Sequence, residues 1–344
     1  MERRQNLGRV TMSLALGAVL LAAGAISANA AGRPDGAAEQ KTLRISKQYG
    51  VNYLPLIVLE GQKLIEKNAK AAGLGDVAVE WLTFGGGATA NDALLSGNVD
   101  LISGGVAPAV ILWDKTKGAA KILATLDRSP LILNSSNPNV KSITDFTAKD
   151  KIAVPSVKVS IQALTLQIAA AKAFGKENYA RIDPWTVALA HPDALIALTS
   201  GKSEVTAHFT NEPYATLEQQ AAGIHKVFTS FDVFGGPHTT NLITTSEKFY
   251  NANPRLVDAI IKSLQEADEW IAAHKRDAAL LYIEVTKSKE GADLIEKIIN
   301  QPDITFSPKP LNVTYYSDFL FDVKTISSKP TEKDLFFPKI FEVK

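Results

Sequence analysis

Two glycine clusters each stand between a strand-like stretch and a helix-like stretch of the sequence. One is the run 85–87, within TFGGGATANDALL, and the other is Gly104-Gly105, within VDLISGGVAPA. The first N–H groups of a helix have no partner inside the helix and carry partial positive charge. Glycine lets an anion approach these groups closely because it has no side chain. The pattern predicts an anion-binding cradle, and ordinary tight turns are the alternative.

Polar residues in nearby predicted loops extend this candidate site. Arg128 lies where the chain is expected to cross between two halves, and it pairs there either with a ligand carboxylate or sulfonate or with an acidic group of the hinge. Three of the predicted contacts have an alternative role that involves no ligand. Tyr53 can pack in the core, Lys158 can be a solvated surface residue, and His238 can have a structural role near a hinge. The predicted ligand contacts are Gln48, Asn52, Tyr53, Gly86, Gly87, Thr89, Gly105, Val106, Arg128, Ser156, Lys158, Ser160, Asn211, Glu212 and His238.

Several kinds of chemistry are missing from the sequence. The first glycine cluster lacks the lysine of a P-loop, and there is no GxGxxG fingerprint, GxSxG elbow or HExxH pair. The chain has no cysteine, and its five histidines show no metal-ligand spacing. A net charge of +1 gives no general attraction to nucleic acid. We therefore expect no catalytic residue, no metal, no cofactor and no nucleic-acid partner.

Strand and helix patterns alternate up to about residue 250, which predicts an α/β fold with a largely parallel sheet. The segment TANDALLSGNVDLISGGVAP is echoed by HPDALIALTSGKSEVTAHFTNEP. Each has an Asp-Ala-Leu helix, a Ser-Gly stop, a strand and a loop leading to proline, so we expect two similar lobes facing one crevice. Thr89 and Asp92 fit a capping box, and Ser160 fits a helix N-cap. The helical C-terminal third is expected to pack on one lobe.

The first residues have the features of a secretory signal peptide. Arg3, Arg4 and Arg9 precede an uncharged, mostly apolar run, and Ala28-Asn29-Ala30 provides small residues for cleavage. This predicts a signal peptide over residues 1–30, a flexible leader over 31–40, and a periplasmic protein that is not a lipoprotein. A membrane anchor is the alternative, but the apolar run lies near the lower limit for spanning.

Several runs of the sequence resemble the nitrate/taurine/sulfonate-type substrate-binding proteins of ABC importers. They are LRIS…YLPLIVLEGQ, FGGGATANDALLSGNVDLISGGVAPAVIL, DRSPLIL, ITDFTAKDKIAVPS and DALIALTSGK. The resemblance covers residues 43 to about 250. It implies an α/β, two-lobed periplasmic-binding-protein fold (type II, Venus flytrap) with two crossover strands, near 128–131 and 237–241. Lobe 1 would comprise residues 41–128 and 241–344, and lobe 2 residues 129–240.

The resemblance also implies a function. Such a protein captures a small anion, of the sulfonate, nitrate or organic carboxylate class, and delivers it as a monomer to an ABC permease and ATPase in the inner membrane. The loops KQYGVNYLP and SEVTAHFTNEP depart from the family's usual pattern, so the ligand stays open, with bicarbonate and pyrimidines also compatible. Yeast-type pyrimidine synthases share the fold but rely on a cysteine-rich motif that this chain lacks. An exported enzyme and a sensor on the same fold are the alternatives.

Overall fold

Strands and helices alternate along the chain, as the sequence predicts. The protein is described by a computed structural model that covers residues 39–342. The predicted signal peptide, residues 1–30, and residues 31–38 of the predicted leader lie outside this range. Within the range, ten strands form two five-stranded sheets: β1 (Thr42–Lys47), β2 (Ala78–Thr83), β3 (Leu101–Gly105), β4 (Ala120–Thr125), β5 (Ile132–Ser135), β6 (Ile152–Val154), β7 (Thr186–Ala188), β8 (Ala207–Thr210), β9 (His225–Thr229) and β10 (Asn241–Ser246).

The two sheets have the same strand arrangement. The first sheet has the order β2-β1-β3-β10-β4, and the second has the order β7-β6-β8-β5-β9. In the first, β1 runs parallel to β2 and β3, whereas β10 is antiparallel to β3 and β4. In the second, β6 runs parallel to β7 and β8, whereas β5 is antiparallel to β8 and β9. The echoed segments supply the central strands β3 and β8, so the predicted structural repeat is confirmed.

Helices connect and cover the strands of both sheets. Pro55 lies in the first turn of its helix, and Ser160 Oγ caps the next long helix by accepting from Ala163 N at 3.2 Å, both as predicted. The predicted Thr89–Asp92 capping box is wrong, because that helix already begins at Gly87. The described helices are α1 (Leu54–Gln62), α2 (Leu64–Ala71), α3 (Gly87–Leu95), α4 (Val106–Lys115), α5 (Ile161–Phe174), α6 (His191–Thr199), α7 (Tyr214–Gln220), α8 (Ser230–Phe234), α9 (Glu247–Ala252), α10 (Pro254–Ala273), α11 (Lys275–Thr286), α12 (Ala292–Ile299), α13 (Thr314–Asp322) and α14 (Glu332–Leu335).

The chain passes between the sheets through residues 126–131 and 235–240. A third segment, residues 305–311, runs beside both crossings: Arg128 N donates to Thr305 O, Ser307 N donates to Leu126 O, and Thr239 N donates to Leu311 O. These backbone bonds join chain segments that are far apart in sequence. The crossings are therefore braced by a segment that the sequence analysis did not assign to them.

One cluster of buried apolar side chains extends through elements of both sheets. It includes Leu43 and Ile45 of β1, Val154 of β6 and Phe209 of β8, each fully buried. Residues 39–342 accordingly group into one compact unit. No helix within residues 39–342 is both long enough and apolar enough to cross a membrane.

The C-terminal helices contact elements of both sheets, unlike the simple packing on one lobe that we expected. In α13, Tyr316 Oη lies 2.9 Å from Thr165 Oγ1 of α5, and Asp322 accepts from Lys176 at 2.8 Å. Farther along, Phe337 N donates to Ile122 O of β4 in the first sheet. The residue boundaries predicted for the two lobes remain a prediction.

Candidate ligand-binding site

A small cavity lies between elements of the first sheet and elements of the second; we call it the inter-sheet cavity. Its volume is about 10 Å³, which is room for about one water molecule. A larger ligand group can enter only if the surrounding elements move apart. Its lining comprises Gln48, Tyr53, Gly87, Gly105, Pro108, Pro155, Ser160, Ile161, Gln162, His191, Asn211 and Asn241.

Helix N-termini converge on the inter-sheet cavity from both sheets. Tyr53 precedes α1, Gly87 begins α3, and Gly105 precedes α4; Ser160 precedes α5, and His191 begins α6. Each helix start carries partial positive charge and N–H groups without intrahelical partners. Such groups stabilise an anion without a charged side chain.

The glycines at and beside the inter-sheet cavity leave room for atoms of neighbouring segments, which for Gly86 and Gly105 belong to the other half of the protein. A methyl group on Gly105 would lie 2.5 Å from Ile161 Cβ, and one on Gly86 would lie 2.7 Å from Pro155 O. A methyl group on Gly87 would lie 2.7 Å from Pro108 Cγ. None of these glycines has a positive φ. Close packing, and not a turn conformation, is what requires glycine at these positions.

The polar groups of the lining are neutral. Gln48 Nε2 donates to Ser103 O at 2.8 Å, and Tyr53 Oη donates to Asn241 Oδ1 at 2.9 Å. Asn211 Nδ2 donates to Tyr49 O at 3.2 Å, whereas Asn211 Oδ1 is a buried acceptor without a hydrogen-bond partner among the described residues. Burial lowers the pKa of His191 well below its usual value, so this ring is neutral at pH 7.

The structure brings part of the predicted site together. Gln48, Tyr53, Gly87, Gly105, Ser160 and Asn211 line the inter-sheet cavity. The lining does not include Asn52, Gly86, Thr89, Val106, Arg128, Ser156, Lys158, Glu212 and His238. For the first group, contact with a ligand remains a prediction. The residues of the second group do not line the inter-sheet cavity, and most of them contact other parts of the protein.

Two of the residues outside the lining belong to the crossings. Asn52 Nδ2 donates to Asp127 Oδ2 at 2.7 Å, and Asp127 Oδ1 accepts from the backbone and side chain of Asn241. Asp127 therefore joins one crossing to the start of β10 at the other. The Arg128 guanidinium does not line the inter-sheet cavity. It donates to Lys309 O at 3.1 Å and lies 3.4 Å from Ser307 Oγ.

Other predicted contacts are occupied within the protein. His238 is fully buried, with Nδ1 donating to Thr239 O and Nε2 lying 3.0 Å from Ser230 Oγ. Both carboxylate oxygens of Glu212 accept from Thr216. Val106 N donates to Thr240 O. Thr89 and Lys158 are exposed, and Ser156 is buried against Gly86.

Three polar lining residues were missed: Gln162, His191 and Asn241. His191 begins α6, the helix that corresponds to α3 in the sequence repeat, and Gly87 begins α3. The repeat could therefore have identified His191 as a lining residue. Gln162 follows the predicted cap Ser160 by two residues. Asn241 begins β10, and its place beside β3 depends on a strand pairing that spans more than 130 residues.

A second cavity, which we call the outer cavity, shares Gln48 with the first. It has a volume of about 570 Å³, within the range of small-molecule sites. Tyr49, Trp81, Tyr214 and Tyr282 supply aromatic walls. Its charged lining residues include an ion pair of Lys47 with Glu60, and burial lowers the pKa of Lys47 to about 8. Within residues 39–342, no group of three or more acidic or histidine side chains is placed to hold a metal ion.

This fold is shared with solved periplasmic binding proteins. The alkanesulfonate-binding protein SsuA from Xanthomonas axonopodis pv. citri, bound to MOPS, matches with a TM-score of 0.69 at 16% identity, over 88% of this chain and 99% of its own. The aliphatic sulphonate binding protein SsuA from Escherichia coli matches with a TM-score of 0.64 at 18% identity, over 89% and 100%. The nitrate-binding protein NrtA from Synechocystis PCC 6803 matches with a TM-score of 0.65 at 14% identity, over 89% of each chain.

These likenesses define the molecule as a mixed α/β protein with the two-lobed periplasmic-binding-protein fold, as expected from the sequence. The profile of the NMT1-like family matches residues 36–283, so the chain belongs to the NMT1-like family. None of the curated proteins compared with this chain matches it.

Proposed function

We propose that this protein is a periplasmic solute-binding protein, which captures a small anion between its two sheets and delivers it to an ABC permease and its ATPase. One observation carries the proposal: helix N-termini from both sheets converge on a single cavity. N–H groups at helix starts favour anions. Sulfonate, nitrate and organic carboxylate are the ligand classes that fit this donor set.

The fold supports transport as the context of binding. Solved proteins of this fold include sulfonate-binding and nitrate-binding proteins, and another, from Staphylococcus aureus, is named as the ligand binding component of an ABC-type import system. The predicted signal peptide would export the chain to the periplasm, where we propose that it acts as a monomer. An exported enzyme on the same fold is the second candidate, but no specific feature of the described residues favours it.

The outer cavity gives room for the body of a larger ligand. It shares Gln48 with the inter-sheet cavity, and its walls combine aromatic side chains with the Lys47–Glu60 ion pair. We propose that an anionic headgroup lies at the helix N-termini while an organic substituent extends into the outer cavity. Nitrate, which has no organic substituent, would occupy the inter-sheet cavity alone.

An anion panel tests the proposal. Ethanesulfonate, nitrate and 4-bromobenzoate are titrated by calorimetry and by thermal unfolding, with chloride at equal ionic strength as the control. A true ligand at 100 times its Kd should add about 2.7 kcal/mol to the free energy of unfolding. The ligand should be recovered unchanged, as shown by NMR after incubation. If no anion exceeds chloride, the anion site is contradicted, and conversion of a bound anion would favour the enzyme.

A further inference from the structure

A line of buried side chains runs from the second sheet to the inter-sheet cavity. Glu218 Oε1 of α7 lies 2.5 Å from His208 Nδ1 of β8. His208 Nε2 lies 2.9 Å from Nδ1 of His191, the first residue of α6. Glu218 and His208 are fully buried, and His191 lines the cavity. The three side chains therefore link the sheet to the candidate site by hydrogen bonds.

The Glu218 carboxyl group is enclosed without a cationic partner. The part of the chain that the structure describes shows no Lys or Arg in an ion pair with it. A lone buried carboxylate is costly, so the pair with His208 is most stable when it holds one proton and has no net charge. Burial accordingly raises the pKa of Glu218 to about 8 and lowers that of His208 to about 3. Other titratable groups near this line on neighbouring elements are Glu212, Tyr214 and Lys226.

Asn134 determines where that proton lies. Its Nδ2 donates to Glu218 Oε2 at 2.9 Å, while its Oδ1 accepts from Gln219 Nε2 at 2.9 Å. Because Oε2 is an acceptor, the shared proton lies between Oε1 and His208 Nδ1. The remaining proton of His208 is then on Nε2 and points to His191 Nδ1. A neutral His191 that accepts at Nδ1 carries its own proton on Nε2.

We infer that Glu218, acting through His208, holds His191 in the tautomer whose Nε2–H faces the inter-sheet cavity and donates to the bound anion. The inference rests on the proposed function, since it needs an anion in that cavity. Glu218 and His208 are positioning residues, and His191 is the ligand contact. The amide nitrogen of Gln162 lies 3.3 Å from this nitrogen in the structure; a 180° rotation of the amide exchanges its nitrogen and oxygen, so that the oxygen accepts the N–H in the ligand-free protein.

The hydrogen bonds that link Glu218, His208 and His191 have a second state, in which each one runs in the opposite direction. When the pair loses its proton at high pH, His208 Nδ1–H donates to the carboxylate and His208 Nε2 becomes an acceptor. His191 then donates from Nδ1, and its bare Nε2 presents a lone pair to the anion. Glu218→Gln removes this second state, because the amide N–H replaces the carboxyl O–H while the amide oxygen still accepts from Asn134.

Histidine nitrogen chemical shifts test the tautomer in the ligand-free protein. The wild type at pH 6.5 should show His191 protonated on Nε2, and at pH 9.5 it should show the proton on Nδ1. Glu218→Gln should keep Nε2 protonated at both values. Two rings serve as internal references: His225, whose Nε2 faces Val140 O at 2.7 Å, and His238, whose Nδ1 faces Thr239 O at 2.8 Å. His191 protonated on Nδ1 at pH 6.5 would overturn the inference, even if Glu218→Gln failed to fold.

Binding of ethanesulfonate tests the contact separately. The affinity of the wild type should fall at least tenfold from pH 6.5 to 9.5, while that of Glu218→Gln should change less than threefold. Asp150→Asn, a buried change in the same half of the protein but outside this line, should follow the wild type. Equal pH profiles for wild type and Glu218→Gln would contradict the contact, as would absence of binding. If ethanesulfonate does not bind but the chemical shifts show the expected tautomers of His191, the proposed function is contradicted and the tautomer assignment stands.

Discussion

Asn211 and Asn241 show how this protein uses neutral amides at the inter-sheet cavity and at the crossings. Asn241 donates to Asp127 at the crossings and accepts from Tyr53 at the cavity. Asn211 presents an acceptor, Oδ1, that has no hydrogen-bond partner among the described residues. A ligand that carries an N–H or O–H group beside its anionic group would satisfy this acceptor.

Asp268 on α10 makes stability depend on pH. Burial, together with the charges of Asp127 and Glu269, raises the pKa of Asp268 to about 8, whereas an unfolded aspartate titrates near 3.9. The folded state therefore keeps a proton that the unfolded state loses, so this stabilisation is complete below pH 4 and is lost as the pH rises to 8. Urea unfolding should show a smaller loss of stability between pH 5 and 8 in Asp268→Asn than in the wild type.

The exposed Asp277 at the start of α11 provides the control for that comparison. Asp277→Asn should keep the pH dependence of the wild type. If Asp268→Asn also keeps it, Asp268 does not retain its proton in the folded protein.

Residues whose position depends on local structure could be placed from the sequence. Gln48, Tyr53 and Ser160 lie in loops between a strand and a helix, so their place at the cleft follows from the strand pattern. Arg128 could not be placed in this way. Its direction is set by Ser307 and Lys309, which are about 180 residues away in sequence and belong to a segment without helical or strand periodicity.

Among the elements, Gly105 at the end of β3 sets how closely α5 of the other half of the protein can approach. Gly105→Ala would place a methyl group 2.5 Å from Ile161 Cβ, so α5 must shift. We expect a loss of about 1–3 kcal/mol in the free energy of unfolding and a larger radius of gyration in small-angle scattering, because the cleft is held open.

Gly291→Ala is the matched control for Gly105→Ala. Gly291 also precedes a helix, and an added methyl group there meets no atom within 4 Å. Scattering curves and stabilities that are the same for both variants would contradict the role of Gly105 in closure.

The helix starts show where local sequence signals are sufficient and where they are not. The Ser160 cap was predicted because a hydroxyl group preceded a long apolar periodic run. The predicted start of α3 is three residues too late, because Thr89 was expected to be the N-cap and Gly86 occupies that position. Gly87 packs against Pro108 of α4, and this contact between two helices cannot be read from the local sequence.

At the scale of the whole molecule, two sheets of identical strand order face one cavity. The sequence repeat predicted this arrangement because each half carries its own Asp-Ala-Leu helix and following strand. The bracing of the crossings by residues 305–311 and the contacts of α13 with α5 were not predicted. They depend on where a long helical tail folds back, which helical periodicity alone does not determine.

The central claim is that an anion binds at the helix N-termini within the inter-sheet cavity. The chain has no cysteine, and its two methionines, Met1 and Met12, both lie within the predicted signal peptide. Crystals of the mature protein should therefore contain no protein sulfur, so the sulfur of ethanesulfonate or the bromine of 4-bromobenzoate can be located by anomalous scattering. We expect the ethanesulfonate peak, or the carboxylate end of the bromobenzoate density, among Gly87, Gly105, Ser160 and His191. Saturating ligand found only in the outer cavity or on the surface would contradict it.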